Sequence, residues 1–365
     1  MNRRSCLLSL GSAVLFPASD GGCRVVKSLA LPSLRTAHLE LLMPGLALRS
    51  LAALAGLALF CSGCQQAPVD VSVPVSNWPG YEYFYIAKKF GLDQAQGLRL
   101  KILQYPDPQA IVHAYLRGEV PLAQLTTVEA VDLCARAPQR CPVVVLVLDE
   151  SRGGDQIAAR LPIASVAQLK GKPVAVTYST LGPYVLSRAL EQQGLSLDAV
   201  TLRPMPLAEM PQALRHGDVQ AAVFFPPFSD LAARDGASRR IFDSASIPGE
   251  VFDVLAVNPN YLKQHGSTIM ALIRAWAAAH QEAKVKRKDA VAMAAQREGI
   301  SPAEFEEAER GLVYFDLKQQ ADLLAANGIV SRNLAAVRRV QQRLQLLPPD
   351  SPLPAVSAQY AVVAP

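Results

Sequence analysis

The chain has 365 residues, of which 50% are hydrophobic, 18% charged and 6% aromatic. This apolar fraction excludes a disordered polymer, and the sequence lacks the series of apolar stretches of about 20 residues that a multi-span membrane protein needs. Residues 1–63 carry six of the 36 Lys and Arg and two of the 31 Asp and Glu, which leaves 30 against 29 for the remainder. The body of the chain is therefore nearly neutral, and its charge gives no reason to expect a nucleic-acid partner.

Residues 43–63 have the pattern of an export signal. Arg49 precedes an apolar run at 50–60, which has the length of a signal h-region and is too short to span a bilayer. The Ser-Gly-Cys sequence that ends at Cys64 resembles a bacterial lipobox, although Cys61 stands where such boxes usually carry Leu. We therefore predict a lipoprotein signal peptide at 43–63 and lipidation of Cys64. Cleavage without lipidation and a buried amino-terminal helix are the alternatives.

Residues 1–42 precede this signal, whereas export signals normally begin at the terminus of the chain. We therefore interpret 1–42 as a mis-assigned or untranslated leader, with translation starting at Met43. The alternative is that the first residues are themselves a leader.

Two cysteines remain in the body of the chain, in the segment LCARAPQRC. In an oxidising compartment Cys134 and Cys141 can close a small loop, so we predict a disulfide between them; free thiols are the alternative. No histidine lies nearby with the spacing of a metal ligand, and we predict no metal site.

After Cys64 the same order of elements occurs twice, with matching landmarks at Tyr81 and Tyr184. In each copy a strand leads through a turn into a helix, and a second strand leads into a helix that ends at Gly in RGEV or HGDV. Such alternation predicts an α/β fold of two lobes, each a mostly parallel sheet flanked by helices, with a ligand cleft where the strand ends meet. The predicted strands are 69–76, 98–105, 122–125, 143–148, 173–177, 200–205, 221–225 and 251–257. They are followed by a helical stretch at about 259–297 that is broken somewhere, by helices at 302–310 and 316–346, and by a disordered, proline-rich tail at 348–365.

A search for catalytic patterns finds little. The five histidines are scattered, and no HExxH, GxSxG, GxGxxG or GxxxxGK motif is present. Asp149 and Glu150 could form an acid/base pair, but adjacent carboxylates more often simply end a strand. The basic run at 284–288 could contact a partner or anionic lipid, and it is typical of a solvated helix face. The sequence therefore favours a binding protein, and we predict no enzyme activity, catalytic residue or cofactor.

Four segments together resemble the nitrate/sulfonate/taurine class of ABC-transporter substrate-binding proteins, which includes relatives that bind thiamin-pyrimidine precursors. They are NWPGYEYFYIAKKFGL, TTVEAVDL, KGKPVAVTYSTLGPYVLSRALEQQGL and IPGEVFDVLAV, and the resemblance spans 69–345. It implies a type II periplasmic-binding-protein fold. Lobe 1 would then comprise 64–155 and 249–347, lobe 2 would comprise 156–248, and the chain would cross between them near 151–159 and 247–255.

The resemblance also implies a function. Such proteins capture a small polar solute, here nitrate-, sulfonate- or taurine-like or related, by hinge closure and deliver it to the permease and ATPase subunits of an importer. We expect a monomer in the bacterial periplasm, anchored to the inner membrane by its lipid. The alternative is a periplasmic sensor lipoprotein that controls a membrane signalling partner without transport. An enzyme on this fold would need a reactive His or Lys among the site residues, and none is present there.

The resemblance places the ligand-binding residues mainly at the starts of helices, where free backbone N–H groups and hydroxyls can bind a solute. The aromatic members could instead be interlobe packing residues, and the hydroxyl residues could be helix caps. The predicted ligand-binding residues are Asn77, Trp78, Gly80, Tyr81, Glu82, Thr126, Thr127, Ser151, Ser179, Thr180, Tyr184, Phe225 and Pro226.

Two first-turn carboxylates, Glu82 and Glu129, complicate this expectation. They can simply compensate the helix dipole. If they face the cleft, they repel nitrate or sulfonate and favour an amine, a pyrimidine or an amide. Arg152 is the nearest residue that could supply a positive charge for an anion.

Overall fold

The computed structural model describes residues 67–234 and 236–362. Residues 1–42, the predicted signal peptide and Cys64 lie outside the described residues. Within the described part, no helix has both the length and the apolar character needed to cross a membrane.

The strands alternate with helices along the chain, as the sequence predicts. The strands are β1 (Val69–Val75), β2 (Leu98–Gln104), β3 (Leu122–Thr126), β4 (Val143–Ser151), β5 (Gln156–Arg160), β6 (Pro173–Val176), β7 (Thr201–Pro204), β8 (Ala221–Phe224), β9 (Ser238–Asp243), β10 (Phe252–Val257), β11 (Leu312–Tyr314) and β12 (Ala355–Val356). The helices are α1 (Glu82–Lys89), α2 (Pro108–Arg117), α3 (Thr127–Arg136), α4 (Leu181–Glu191), α5 (Met210–His216), α6 (Phe228–Ala233), α7 (Pro259–Val285), α8 (Arg287–Glu298), α9 (Pro302–Glu309), α10 (Gln320–Leu323) and α11 (Ile329–Arg343).

The strands of lobe 1 lie in two sheets. β1 pairs in parallel with β2, and a second sheet has the order β11-β4-β10-β3, with β12 added to β4. β4 and β10 are buried along almost their whole length, which explains their continuous apolar sequences. The few polar residues in these two strands are therefore conspicuous.

Lobe 2 has one sheet with the order β7-β6-β8-β5-β9. β6 is parallel to β7 and β8, whereas β5 runs antiparallel to β8 and β9. The predicted α/β architecture is confirmed, but the sheets are mixed rather than mostly parallel. The antiparallel pairs involve the strands that carry the chain into and out of each lobe.

The repeated landmarks in the sequence mark the same local structure in both lobes. α2 ends at Gly118 with φ 81°, and α5 ends at Gly217 with φ 88°. Glycine is favoured at both helix ends because a side chain would strain this left-handed conformation.

The chain crosses from β4 to β5 through residues 152–155 and returns from β9 to β10 through 244–251. The two crossings are joined by a hydrogen bond between the hydroxyls of Ser151 and Ser244, 2.9 Å apart. Ser244 also accepts from the backbone N–H of Gly153 at 2.7 Å. These contacts hold the two crossings together.

The carboxyl-terminal part departs from the sequence expectation in two ways. The predicted helix at 316–346 is divided into α10 and α11. The tail predicted to be disordered instead packs on lobe 1, where β12 pairs in parallel with Val143 and Val144. That end of β4 extends beyond β11, so its free edge accepts a short strand, and proline is tolerated next to an edge strand.

A disulfide joins Cys134 in α3 to Cys141 ahead of β4. It fixes the short connection between these two elements of lobe 1.

Candidate functional site

The carboxyl ends of β1, β3, β6 and β8 face an interlobe cleft, as expected for open α/β sheets. An inner compartment of about 10 Å³ and an outer compartment of about 70 Å³ lie in this cleft. The inner one is lined by Trp78, Tyr81, Pro108, Thr126, Asp155, Leu181, Phe225 and Asp253. The outer one shares Pro108, Leu181 and Phe225 and adds Asp107, Gln109, Glu129, Thr177, Tyr178, Ser179, Met205, Pro206 and Leu207.

Aromatic rings from opposite lobes meet in the cleft. Trp78 follows β1 in lobe 1 and Phe225 follows β8 in lobe 2, and their rings make an edge-to-face contact at 5.4 Å between centroids. Trp78 is 4% exposed and Phe225 is 5% exposed. This contact fills most of the cleft and explains why the compartments are small.

A pair of buried carboxylates lies at the inner compartment, where Asp253 of β10 lines the wall and Asp149 of β4 lies next to it. Asp149 and Asp253 are direct partners in the register of these strands. The Tyr81 hydroxyl donates to Asp253 Oδ1 at 2.5 Å, and the Trp78 indole Nε1 donates to Asp149 Oδ1 at 3.3 Å. The other oxygen of each carboxylate is buried and has no hydrogen-bond partner among the described residues. A Cβ atom at Gly80 would collide with the Asp149 carboxylate, so this glycine permits the close approach.

Burial makes ionisation of these acids unfavourable. It raises the pKa of Asp155 to about 6 and the pKa of Asp149 and of Glu129 to about 7. Burial raises the pKa of Asp253 well above its usual value, and repulsion from the nearby Asp149 raises it further. Groups with perturbed pKa values in a cleft are typical of functional sites.

Two helix starts at the cleft already carry carboxylate caps. The Asp107 side chain accepts from the backbone N–H of Ala110 at 2.8 Å at the start of α2. At the start of α3, Glu129 accepts from the Thr126 backbone N–H at 3.0 Å, and the Thr126 hydroxyl accepts from the Glu129 N–H at 3.2 Å. The partial positive charge of both helix ends is thus already compensated.

The structure brings several predicted site residues together in the cleft. Trp78, Tyr81, Thr126 and Phe225 line the inner compartment, and Ser179 lines the outer one. The hydroxyls of Thr127 and Thr180 are buried at the adjacent helix starts without hydrogen-bond partners among the described residues. Ser151 lies at the end of β4 beside the first crossing, where its hydroxyl accepts from the Asp155 backbone N–H at 3.0 Å.

Other predicted site residues lie outside the cleft. Asn77 accepts a hydrogen bond from Gln104 at 3.2 Å. The Tyr184 hydroxyl donates to Glu250 at 2.9 Å in a different groove, and Pro226 lines a further groove beside the two crossings.

Glu82 is also not available to a solute. Its side chain is fully buried, and Arg297 binds both of its oxygens, with 2.5 Å between Nε and Oε2. Arg152 does not supply a positive charge to the cleft, because it pairs with Glu150 at 2.9 Å and lines the groove that contains Pro226. Among the described residues, no Lys, Arg or His lines either compartment.

Sequence reasoning missed Asp155 and Asp253 as site residues. For Asp253 the available signal was a carboxylate inside a strand of otherwise apolar residues, VFDVLAV, whereas Asp155 lies in the crossing between two strands and has no such signal. Such a residue is rarely buried without a partner or a function.

A two-lobed α/β chain with a cleft at its strand ends has the periplasmic-binding-protein fold. The profile of the family described as NMT1/THI5 like matches residues 78–290, and the chain belongs to this family. The chain is 24% identical over 243 residues to a putative aliphatic sulfonates-binding protein of Escherichia coli K12, covering 63% of this chain and 72% of that protein. The predicted relationship to nitrate/sulfonate/taurine-type binding proteins is thereby confirmed.

Solved structures show the same fold. The alkanesulfonate-binding protein SsuA from Xanthomonas axonopodis pv. citri, bound to MOPS, superposes with a TM-score of 0.64 at 17% identity, covering 77% of this chain and 95% of that chain. The desulfurization enzyme DSZB superposes with a TM-score of 0.53 at 18% identity, covering 76% and 93%. The fold is therefore shared by a binding protein and an enzyme.

Proposed function

We propose that this protein is the solute-binding component of an ABC importer, which captures a small polar solute between its lobes and delivers it to a membrane permease. The observation that carries the proposal is the interlobe cleft, in which Trp78 and Phe225 meet from opposite lobes. Family membership and the sulfonate-binding relative support the same role.

The dimensions of the cleft support capture by hinge closure. Pockets for small molecules typically hold roughly 300–1,000 Å³, far more than the compartments between Trp78 and Phe225. A solute can enter only if the lobes separate or Phe225 moves. The two short crossings joined through Ser151 and Ser244 are where rotation of the lobes would concentrate.

Native mass spectrometry tests solute capture directly. The full chain is exported in its bacterial host and purified without refolding, and we expect a co-purified small mass that is lost on denaturation. Trp78→Phe, which keeps an aromatic ring but removes the indole N–H, should reduce its occupancy. Asp198→Asn, at an exposed carboxylate, is the matched control. A chain that never carries or binds a small molecule would contradict the proposal, and a solute that returns chemically changed would favour an enzyme.

We further propose that the chain is exported by the signal at 43–63 and anchored to the inner membrane through lipidated Cys64. Cys64→Ser should move the protein from the membrane fraction to the soluble periplasm. Cys61→Ser, three residues earlier, should leave it anchored. Retention of the Cys64→Ser chain on membranes would contradict the anchor.

A further inference from the structure

We infer that the solute carries a positively charged nitrogen group, an ammonium or amidinium, which binds the carboxylates of Asp155 and Asp253 while its apolar body packs between Trp78 and Phe225. This inference rests on the proposed solute-binding function and names the chemical class of the solute. It differs from the sulfonate named for the relatives.

The charges that line the cleft are all of one sign. Asp107, Glu129, Asp155 and Asp253 line the two compartments, and no basic residue in the described part of the chain lines either. A sulfonate here would lie beside several acids without a counterion. The starts of α2 and α3, which would otherwise attract an anion, are already capped by Asp107 and Glu129.

Asp253 is also short of hydrogen-bond donors. Asp253 is 1% exposed and receives only the Tyr81 hydroxyl on Oδ1, while its Oδ2 has no partner among the described residues. Asp155 is 4% exposed and lines the same inner compartment. An ammonium or amidinium between Asp155 and Asp253 supplies a positive charge to both acids and the N–H donor that Asp253 Oδ2 lacks.

The walls of the inner compartment suit the same ligand. Trp78 lies 6.5 Å from Tyr81 and 5.4 Å from Phe225 between ring centroids. Aromatic faces attract cations and pack against flat apolar bodies. The alternative of a bound metal ion is not favoured, because the described residues contain no group of three or more His, Cys, Asp or Glu arranged to hold one.

The pH dependence of binding has opposite signs for the two kinds of solute. The titratable groups that line the two compartments are Tyr81 from the turn after β1, Asp107 ahead of α2, Glu129 from α3, Asp155 from the crossing, Tyr178 after β6 and Asp253 from β10. Asp149 of β4 lines neither compartment but is the strand partner of Asp253. Burial raises the pKa of Glu129, Asp155 and Asp253, and a cation displaces protons from these three acids, so its affinity should rise between pH 5.5 and 7.5, by up to about tenfold per pH unit for each proton released. A sulfonate needs the acids protonated, so its affinity should fall over the same range.

Titration calorimetry on the full exported chain distinguishes these cases with three probes of similar shape: benzamidine, benzamide and benzenesulfonate. We expect benzamidine to bind at least tenfold more tightly than the other two, with affinity that rises with pH. Asp253→Asn and Asp155→Asn should each weaken benzamidine at least tenfold, and Asp198→Asn should leave it unchanged.

The outcomes separate this inference from the proposed function. If benzenesulfonate or benzamide binds most tightly, or if Asp253→Asn strengthens the sulfonate, the inferred solute class is wrong while solute binding stands. If no probe binds and no small mass co-purifies, both fail. Should Asp253→Asn not fold, the pH dependence of the unsubstituted chain and the Asp155→Asn variant still decide.

Discussion

Two buried carboxylates near the turn that follows β1 have very different partners: Glu82 directly follows the turn, and Asp253 of β10 is bound by Tyr81 from the turn. Glu82 has no exposed surface and is bound by Arg297, whose own side chain is only 8% exposed. Asp253 is equally buried, but its donor is the neutral hydroxyl of Tyr81. Burial raises the pKa of both acids, and only for Glu82 does a guanidinium oppose that rise.

This difference separates a structural acid from a functional one. A buried carboxylate with its own cation holds two parts of the fold together, here α1 and α8. A buried carboxylate without a cation destabilises the empty protein, and a ligand can remove that penalty. Removing Arg297, the cation that binds Glu82, should therefore destabilise the protein. Removing a buried carboxylate of the cleft, which has no cation, should stabilise the empty protein.

The largest effect is expected for Arg297→Met. It leaves Glu82 buried without its counterion, and breaking a buried pair in this way costs about 3–5 kcal/mol of unfolding free energy. Urea unfolding at pH 7.5 measures the loss. Arg310→Met removes an exposed partner of Glu307 and should cost less than about 0.5 kcal/mol. Equal costs for the two variants would mean that Glu82 does not depend on Arg297 as a buried counterion.

Asp155→Asn should act in the opposite direction and stabilise the unliganded protein at pH 7.5. Because burial raises the pKa of Asp155 from 3.8 to about 6, the folded chain binds more protons than the unfolded chain between these values. Its unfolding free energy therefore falls as pH rises through that window. Removing the acid restores up to about 2–3 kcal/mol at pH 7.5 and almost nothing below pH 4.

Urea unfolding of Asp155→Asn at several pH values checks this sign. Asp198→Asn should show no gain at any pH. A gain for Asp155→Asn that is the same at pH 3.5 and pH 7.5 would mean that relief from ionisation is not its cause.

Local patterns in the sequence were enough to predict most elements of the fold. The repeated strand, turn and helix signals correspond to β1 to α2 in one lobe and β6 to α5 in the other, and Trp78, Thr126 and Phe225 were placed correctly at strand ends. These features depend on residues close together in the chain. Hydrophobic periodicity and turn residues reflect interactions between residues that are close in sequence.

The polarity of the site depends on contacts that a local pattern does not contain. Arg297 is 215 residues from Glu82, and Tyr81 is 172 residues from Asp253. From the sequence, Glu82 could be a cleft residue and Asp253 only a polar residue in a strand. The pairing of β4 with β10 and the packing of α8 on α1 decide which acid has a cation.

Arg152→Gln should have the smallest effect. It tests a buried acid, Glu150, whose guanidinium partner is half exposed rather than buried. Arg152 pairs with Glu150, but its side chain is 47% exposed, and Glu150 keeps the backbone N–H of Gly249 as a donor at 2.7 Å. Loss of the pair should therefore cost only about 0.5–1 kcal/mol. Solute affinity should stay within about twofold, as in the control Arg240→Gln in the same groove, because Arg152 lies outside both compartments. Selective loss of solute binding in Arg152→Gln would show that this arginine reaches the cleft when the lobes move, and the cleft would then have a cation for an anionic solute.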